Sequence, residues 1–155
     1  MIEINERFDV PTAPPSFVWD LLSDPRDVVE CVPGAALGDK HEDGSFDGSL
    51  TVKFGPAKVT FRARIELELD EAAMTGRVTS RGKDNQGGTR FVAAMAFKVV
   101  ENAEAPGSTV LIDGSTEISG KLASIVESGA KIVIKRMSAE FAENLAARCA
   151  GAGAT

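Results

Sequence analysis

Few side chains in this chain could carry chemistry. His41 is the only imidazole, and it runs through Glu42 and Asp43 into Gly44. A general base needs a hydrogen-bonding partner and a pocket, whereas this context reads as an exposed turn. Cys31 stands two residues before the turn signal Pro33-Gly34, with no histidine near it. A nucleophilic thiol needs a base and electropositive surroundings, so Cys31 reads as a small buried apolar residue. Cys149, near the end of the last helical run, reads as inert. Arg62, Arg64, Arg77 and Arg81 could hold an anion. They alternate with Phe61, Ala63, Ile65 and Val78, and Glu66 and Glu68 share their face, so a solvated outer face paired with carboxylates accounts for them. The stretch GKDNQGGTR, residues 82–90, is glycine-rich. Its lysine is misplaced for a phosphate loop and no strand-to-helix context surrounds it, so it reads as a mobile loop. There is no metal-ligand spacing, and no catalytic residue is expected.

The elements that must position any site follow from periodicity. Residues 2–10 alternate into a first strand ending at Pro11, and Ala13-Pro14-Pro15 opens a short helix carrying Phe17, Val18, Leu21 and Leu22. Asp24-Pro25 pairs an N-cap with proline at the first helical position, which starts a second short helix to about Cys31. A weak strand follows over 36–40. In 46–54, Phe46, Gly48, Leu50, Val52 and Phe54 share one face, and in 59–69, Val59, Phe61, Ala63, Ile65, Leu67 and Leu69 do the same. Such segments have one dry and one wet face. Strands over 75–82, 91–100 and 108–119 complete the set. Residues 91–100 are apolar on both faces, which points to a partner surface or a homodimer. From Ser119 to about Cys149 the apolar residues Leu122, Ile125, Val126, Val133, Met137, Phe141 and Leu145 recur at helical spacing.

Composition bounds the rest. The 155 residues fit a single domain over 1–150, with 151–155 as a flexible tail. A formal net charge of -6 excludes a sequence-independent nucleic-acid binder and a polybasic membrane-surface protein. No apolar run has spanning length, no leader is expected, and two distant cysteines suit free thiols, so the expected location is cytoplasmic.

One long helix after an antiparallel series is most economically wrapped by a curved sheet. The segments DPRDVVECVPG (24–34), FGPAKVTFRARIELEL (54–69) and SGKLASIVESGAKIVIKRMSAEFAENLAA (119–147) resemble the CoxG-like family of carbon monoxide dehydrogenase subunits. The resemblance is most specific at Cys31-Val32-Pro33-Gly34 and at Phe54-Gly55-Pro56 with Lys58, and it covers nearly the whole chain. It implies an α+β helix-grip fold of the START and Bet v 1 type: a curved seven-stranded antiparallel sheet around a long C-terminal helix, with two short helices after the first strand.

The resemblance also implies a cavity between sheet and helix, entered between Phe54-Gly55-Pro56-Ala57, the 82–90 loop and Ser119–Leu122. Its expected lining is Phe46, Leu50, Val52, Phe54, Pro56, Phe61, Ala63, Ile65, Val78, Met95 and Phe97 from the sheet. From the helix it is Ile125, Val126, Gly129, Val133 and Met137. Gly129 marks either close helix-to-sheet contact or room for a ligand, pointing toward Phe61 and Ile65. The implied function is a non-catalytic accessory role beside a molybdenum-type CO dehydrogenase or related hydroxylase. A soluble hydroxylase that feeds respiration needs a water-insoluble membrane acceptor, so the expected ligand is a lipid or an isoprenoid quinone, menaquinone- or ubiquinone-like and not covalently bound, with transient contact at the inner face of the membrane. Competing classes are a docking protein with a filled core and a cyclase- or hydrolase-type enzyme of the same fold.

Overall fold

The computed structural model describes residues 1–153. Strand β1 (Ile2–Pro11) is followed by α1 (Pro15–Leu22) and α2 (Pro25–Cys31). Then come β2 (Ala35–Lys40), β3 (Phe46–Phe54), β4 (Ala57–Asp70), β5 (Thr75–Asp84), β6 (Thr89–Glu101), β7 (Gly107–Gly120) and α3 (Ala123–Gly153). The seven strands form one antiparallel sheet in the order β1-β7-β6-β5-β4-β3-β2. Six strands thus form a meander, and the first strand closes on the last.

The local chemistry behaves as the residue types dictate. Asp24 caps α2 by accepting from the Arg26 amide at 3.0 Å, with Pro25 at the first helical position. α3 starts later than its apolar spacing suggests. Ser119 and Gly120 are claimed by β7, opposite Arg90 and Thr89, so the helix begins at Ala123. It also extends past Cys149 to Gly153, into the segment expected to be a tail; residues 154–155 lie outside the described residues.

The register assigns every side chain to a face. Phe46, Leu50, Val52 and Phe54 stand opposite Ile65, Phe61, Val59 and Ala57, and Leu67, Val78 and Met95 continue one row across β4, β5 and β6. This face turns toward α3. The buried core on it falls into two clusters. One gathers Val10, Val18, Trp19, Val99, Val110 and Leu145 beneath α1 and the end of α3. The other gathers Val52, Phe54, Val59, Phe61, Val126 and Val133 beneath its start. Arg148 locks the end of α3 to α2 through Asp27 at 2.6 Å and through Glu30. Asn144 donates to the Cys31 carbonyl at 3.0 Å.

Candidate functional site

Between the two clusters the sheet floor is left thinly covered. Phe46, Ala63, Ile65, Val78 and Met95 are half-buried and belong to neither cluster. The same floor carries short side chains in adjacent rows: Gly48, Ala63 and Gly82 in one, Ser80, Ala93 and Thr116 in the next. α3 makes its closest approaches to β1, β3 and β7 and spans the middle strands. The result is an apolar trough with a packed cluster at each end. Exposure of inward residues along β4 rises from 8% at Phe61 to 44% at Leu69, so the trough opens toward the far end of that strand. Gly82 contributes to its shape, because a Cβ there would collide with the Arg62 carbonyl oxygen of the neighbouring strand. A glycine at that point lets the two strands bend closely against each other.

The expected lining residues divide into groups. All ten from the strands, Phe46 to Phe97, lie on the inner face, including Met95 and Phe97, whose parity the apolar run 91–100 leaves ambiguous. Five of them form the trough. Leu50, Val52, Phe54 and Phe61 are instead packed with Val126, Val133 and Met137 in the second cluster. Phe97 packs into the first, 5.8 Å from Trp19 between ring centroids. Pro56 is exposed at the hairpin tip, and Ile125 is 45% exposed. One residue along a helix is about 100° of rotation, so Val126 facing inward turns Ile125 away. Gly129 faces neither Phe61 nor Ile65. A Cβ there would lie 3.2 Å from Cδ1 of Phe54, so it marks close contact between helix and hairpin.

The expected entrance is accordingly closed. Phe54 seats against Gly129, and the 82–90 stretch is not a free loop. β5 continues to buried Asp84, which accepts from the Thr89 amide at 2.8 Å. Fully buried Thr89 accepts in turn from the Leu122 amide at 2.8 Å, and the Lys121 amide donates to the Gly88 carbonyl at 2.9 Å. An opening of about 170 Å³ lies on the flank instead, lined by Pro33, Gly34, Thr51, Val52, Lys53, Arg136, Met137 and Glu140. Of the expected site residues it takes in Val52 and Met137.

His41, Arg64 and the two cysteines have structural partners or are buried, whereas the expected pairing of Arg62, Arg77 and Arg81 with Glu66 and Glu68 is not made: among the described residues no ion pair within 4.0 Å includes any of the five, because the side chains extend into solvent on the outer face. His41 Nε2 is 2.7 Å from Asp47 Oδ1, and the His41 backbone bonds to Ser45 and Gly44 in a tight turn. Asp43 accepts from the Ser45 hydroxyl and amide, which hold its carboxyl below the usual range. Arg64 joins this turn through Ser45 Oγ at 2.6 Å. Cys31 and Cys149 are free and buried. Burial pushes both thiols up; the Arg148 charge opposes this at Cys31, and Cys31 itself adds to it at Cys149.

The inward polar residues that were not anticipated include Glu6, Ser80 and Thr116. Their signal is the parity of their strands, since Ile2, Ile4, Glu6, Phe8 and Val10 share one face. Among the described residues no group of acidic, histidine or cysteine side chains could hold a metal ion.

The family model for CoxG, a carbon monoxide dehydrogenase subunit, matches residues 7–150. No curated protein matches the sequence. Among solved structures, a conserved protein from Geobacillus kaustophilus superposes with TM-score 0.79 at 19% identity, covering 97% of this chain and 96% of that one. The Zhui aromatase/cyclase from Streptomyces sp. R1128 gives 0.61 at 16%, covering 96% and 93%. A START superfamily protein from Mycobacterium smegmatis gives 0.58 at 15%, covering 96% and 97%. At these identities the likeness establishes the fold, a START-type helix grip.

Proposed function

The chain belongs to the CoxG family of carbon monoxide dehydrogenase subunits, and on that premise we propose that it is a non-catalytic accessory protein that binds a hydrophobic ligand between sheet and helix. The enzyme it serves is a molybdenum-type CO dehydrogenase or related hydroxylase. The ligand is an isoprenoid quinone or a lipid, and its carriage links a water-soluble enzyme to the respiratory membrane. The observation that carries this reading is the divided core: an apolar floor of Ala63, Ile65, Val78, Ala93 and Met95 left half-exposed between two packed ends. Each methylene buried there contributes about 0.8 kcal/mol, so a chain-like ligand needs no strong polar anchor. No helix among the described residues is long and apolar enough to cross a membrane.

An enzyme of the cyclase type needs acid and base groups within reach of one another. Glu6 stands four residues along β1 from Ile2, the partner of Thr116, which is roughly 13 Å, and Ser80 and Thr116 flank Ala93, two strand spacings apart. That is roughly 10 Å, beyond hydrogen-bond reach. The packed end around Phe54 favours a second reading, a docking protein whose core needs no ligand.

Native mass spectrometry of the purified protein, followed by titration with a short-tailed menaquinone, separates the two. A copurifying or titratable apolar ligand at micromolar affinity supports carriage. Trp19, buried against Phe97 at one end of the trough, supplies a fluorescence readout. No binding of quinone or lipid in either measurement would leave the docking reading in its place.

A further inference from the structure

The outer face of β6 is the crest of the convex side of the sheet, and it is built from small apolar residues. Val92, Ala94 and Ala96 are all exposed there, Val92 to 49%. On one flank β5 presents Arg81 opposite Val92 and Arg77 opposite Ala96. On the other flank β7 presents Glu117 opposite Val92 and Asp113 opposite Ala96. All four charged residues are exposed, and among the described residues none has an oppositely charged group within 4.0 Å. Two strand spacings, roughly 10 Å, separate Arg81 from Glu117 and Arg77 from Asp113, while the β4 neighbour of Arg77 is Glu68 and that of Arg81 is Arg64.

The geometry points to a homodimer formed through this face, with a two-fold axis running along β6. Rotation about that axis exchanges the flanks and preserves position along the strand. Arg81 of one protomer then lies over Glu117 of its partner, and Arg77 over Asp113. Each pair occurs twice, as an isologous interface requires. The small crest residues let the two convex sheets approach, and the long arginines reach across the gap that curvature opens on either side. Arg90 and Lys98 lie on the crest beyond Val92 and Ala96. On the axis each lies over its own copy, so these two like-charge contacts oppose association and bound the favourable strip to Val92–Ala96 and its flanks. Farther out, Asp70 of β4 comes over Arg7 of β1, and Glu66 over Glu3. These rows add one favourable and one unfavourable pair, so the interface rests on the inner four residues. Five strands and the nine residues from Arg90 to Lys98 cap the footprint at about 700 Å² per protomer, below the roughly 800 Å² of a standard interface.

The test needs no ligand, so it stands apart from the carriage reading. Sedimentation velocity is run on the parent, on Arg77→Glu/Arg81→Glu, on Asp113→Lys/Glu117→Lys, and on an equimolar mixture of the two variants. The parent should be a dimer at micromolar concentration. Each double variant faces four like-charge pairs and should dissociate at least tenfold more readily. In the mixture the new carboxylates of one chain meet the new lysines of the other, and the arginines and carboxylates left unchanged keep their native pairing, so a heterodimer should form. Its formation also shows that both variants are folded. A parent that stays monomeric up to millimolar concentration would overturn the inference. So would a dimer indifferent to both variants, or a mixture that stays monomeric.

Discussion

Gly129 stands where the Phe54 ring needs room, and that contact sets the effect of changing either residue. Glycine inside a helix costs about 1 kcal/mol relative to alanine. Gly129→Ala regains about that much while placing a Cβ 3.2 Å from a ring edge that can shift slightly. Its melting temperature should therefore stay near the parent's or rise. Gly129→Leu drives further carbons into the same ring, and overpacking of this kind costs about 1–3 kcal/mol. A thermal melt should find it less stable, and Phe54→Ala in the same chain should recover part of the loss. The buried thiols make a second prediction. Burial raises both above the ordinary value of 9.0, so the unfolded chain ionises them first as pH rises. Their contribution to stability is complete below pH 9.0 and is lost above it. Denaturant midpoints should fall as pH climbs through that range, and should fall less in Cys31→Ala/Cys149→Ala. The burial of Cys31 as a small apolar residue was legible from its type and from the lack of a base near it in the sequence. The partner of Gly129 was not legible, since a helical phase says which side a residue faces but not which strand meets it.

At the scale of elements, the joint between the β5–β6 turn and α3 holds one end of the molecule shut. Asp84, Thr89 and the Leu122 amide form a chain of two hydrogen bonds, each 2.8 Å long, buried at Asp84 and partly buried at Leu122. Thr89→Val keeps the shape of the side chain and removes the acceptor. It leaves the Leu122 amide unpaired, at a cost of about 1–3 kcal/mol. Hydrogen exchange should find that amide unprotected while the β6–β7 ladder stays slow. Loss of protection across the whole sheet would instead make the joint a requirement for folding. The sequence offers a glycine-rich, polar stretch here, and composition alone reads it as mobile. Thr89 and Asp84 become anchors only once β7 brings Gly120 beside Thr89, a pairing between distant segments that no local pattern encodes. The same pairing explains why α3 begins at Ala123 when its apolar spacing starts earlier. The strands themselves were legible almost throughout, because alternation over 46–54 and 59–69 leaves one face no option but the core.

At the scale of the molecule, one property decides between carriage and docking: whether the space between the clusters is hollow. Periodicity is blind to this, because the inner face of a filled core and that of a trough have the same alternation. What distinguishes them is side-chain size along the floor, where Ala63, Gly82, Ser80 and Ala93 leave little to meet the helix, and that pattern emerges only when the strands are set in register. Ala93→Leu tests it directly. Ala93 is half-buried on the floor beside Ser80 and Thr116. In a hollow trough the added carbons gain apolar burial, of which a fully buried leucine would be worth about 1.5–3 kcal/mol. The variant should then melt at or above the parent's temperature, and it should lose affinity for a quinone or lipid because side chain and ligand compete for one volume. In a filled core the same substitution overpacks, and stability should drop by about 1–3 kcal/mol. Ala73→Leu, in the exposed turn between β4 and β5, controls for added hydrophobicity alone and should change neither readout. The sign of the melting shift at residue 93 thus reports the hollow before any ligand is known, and the parallel titration reports what occupies it.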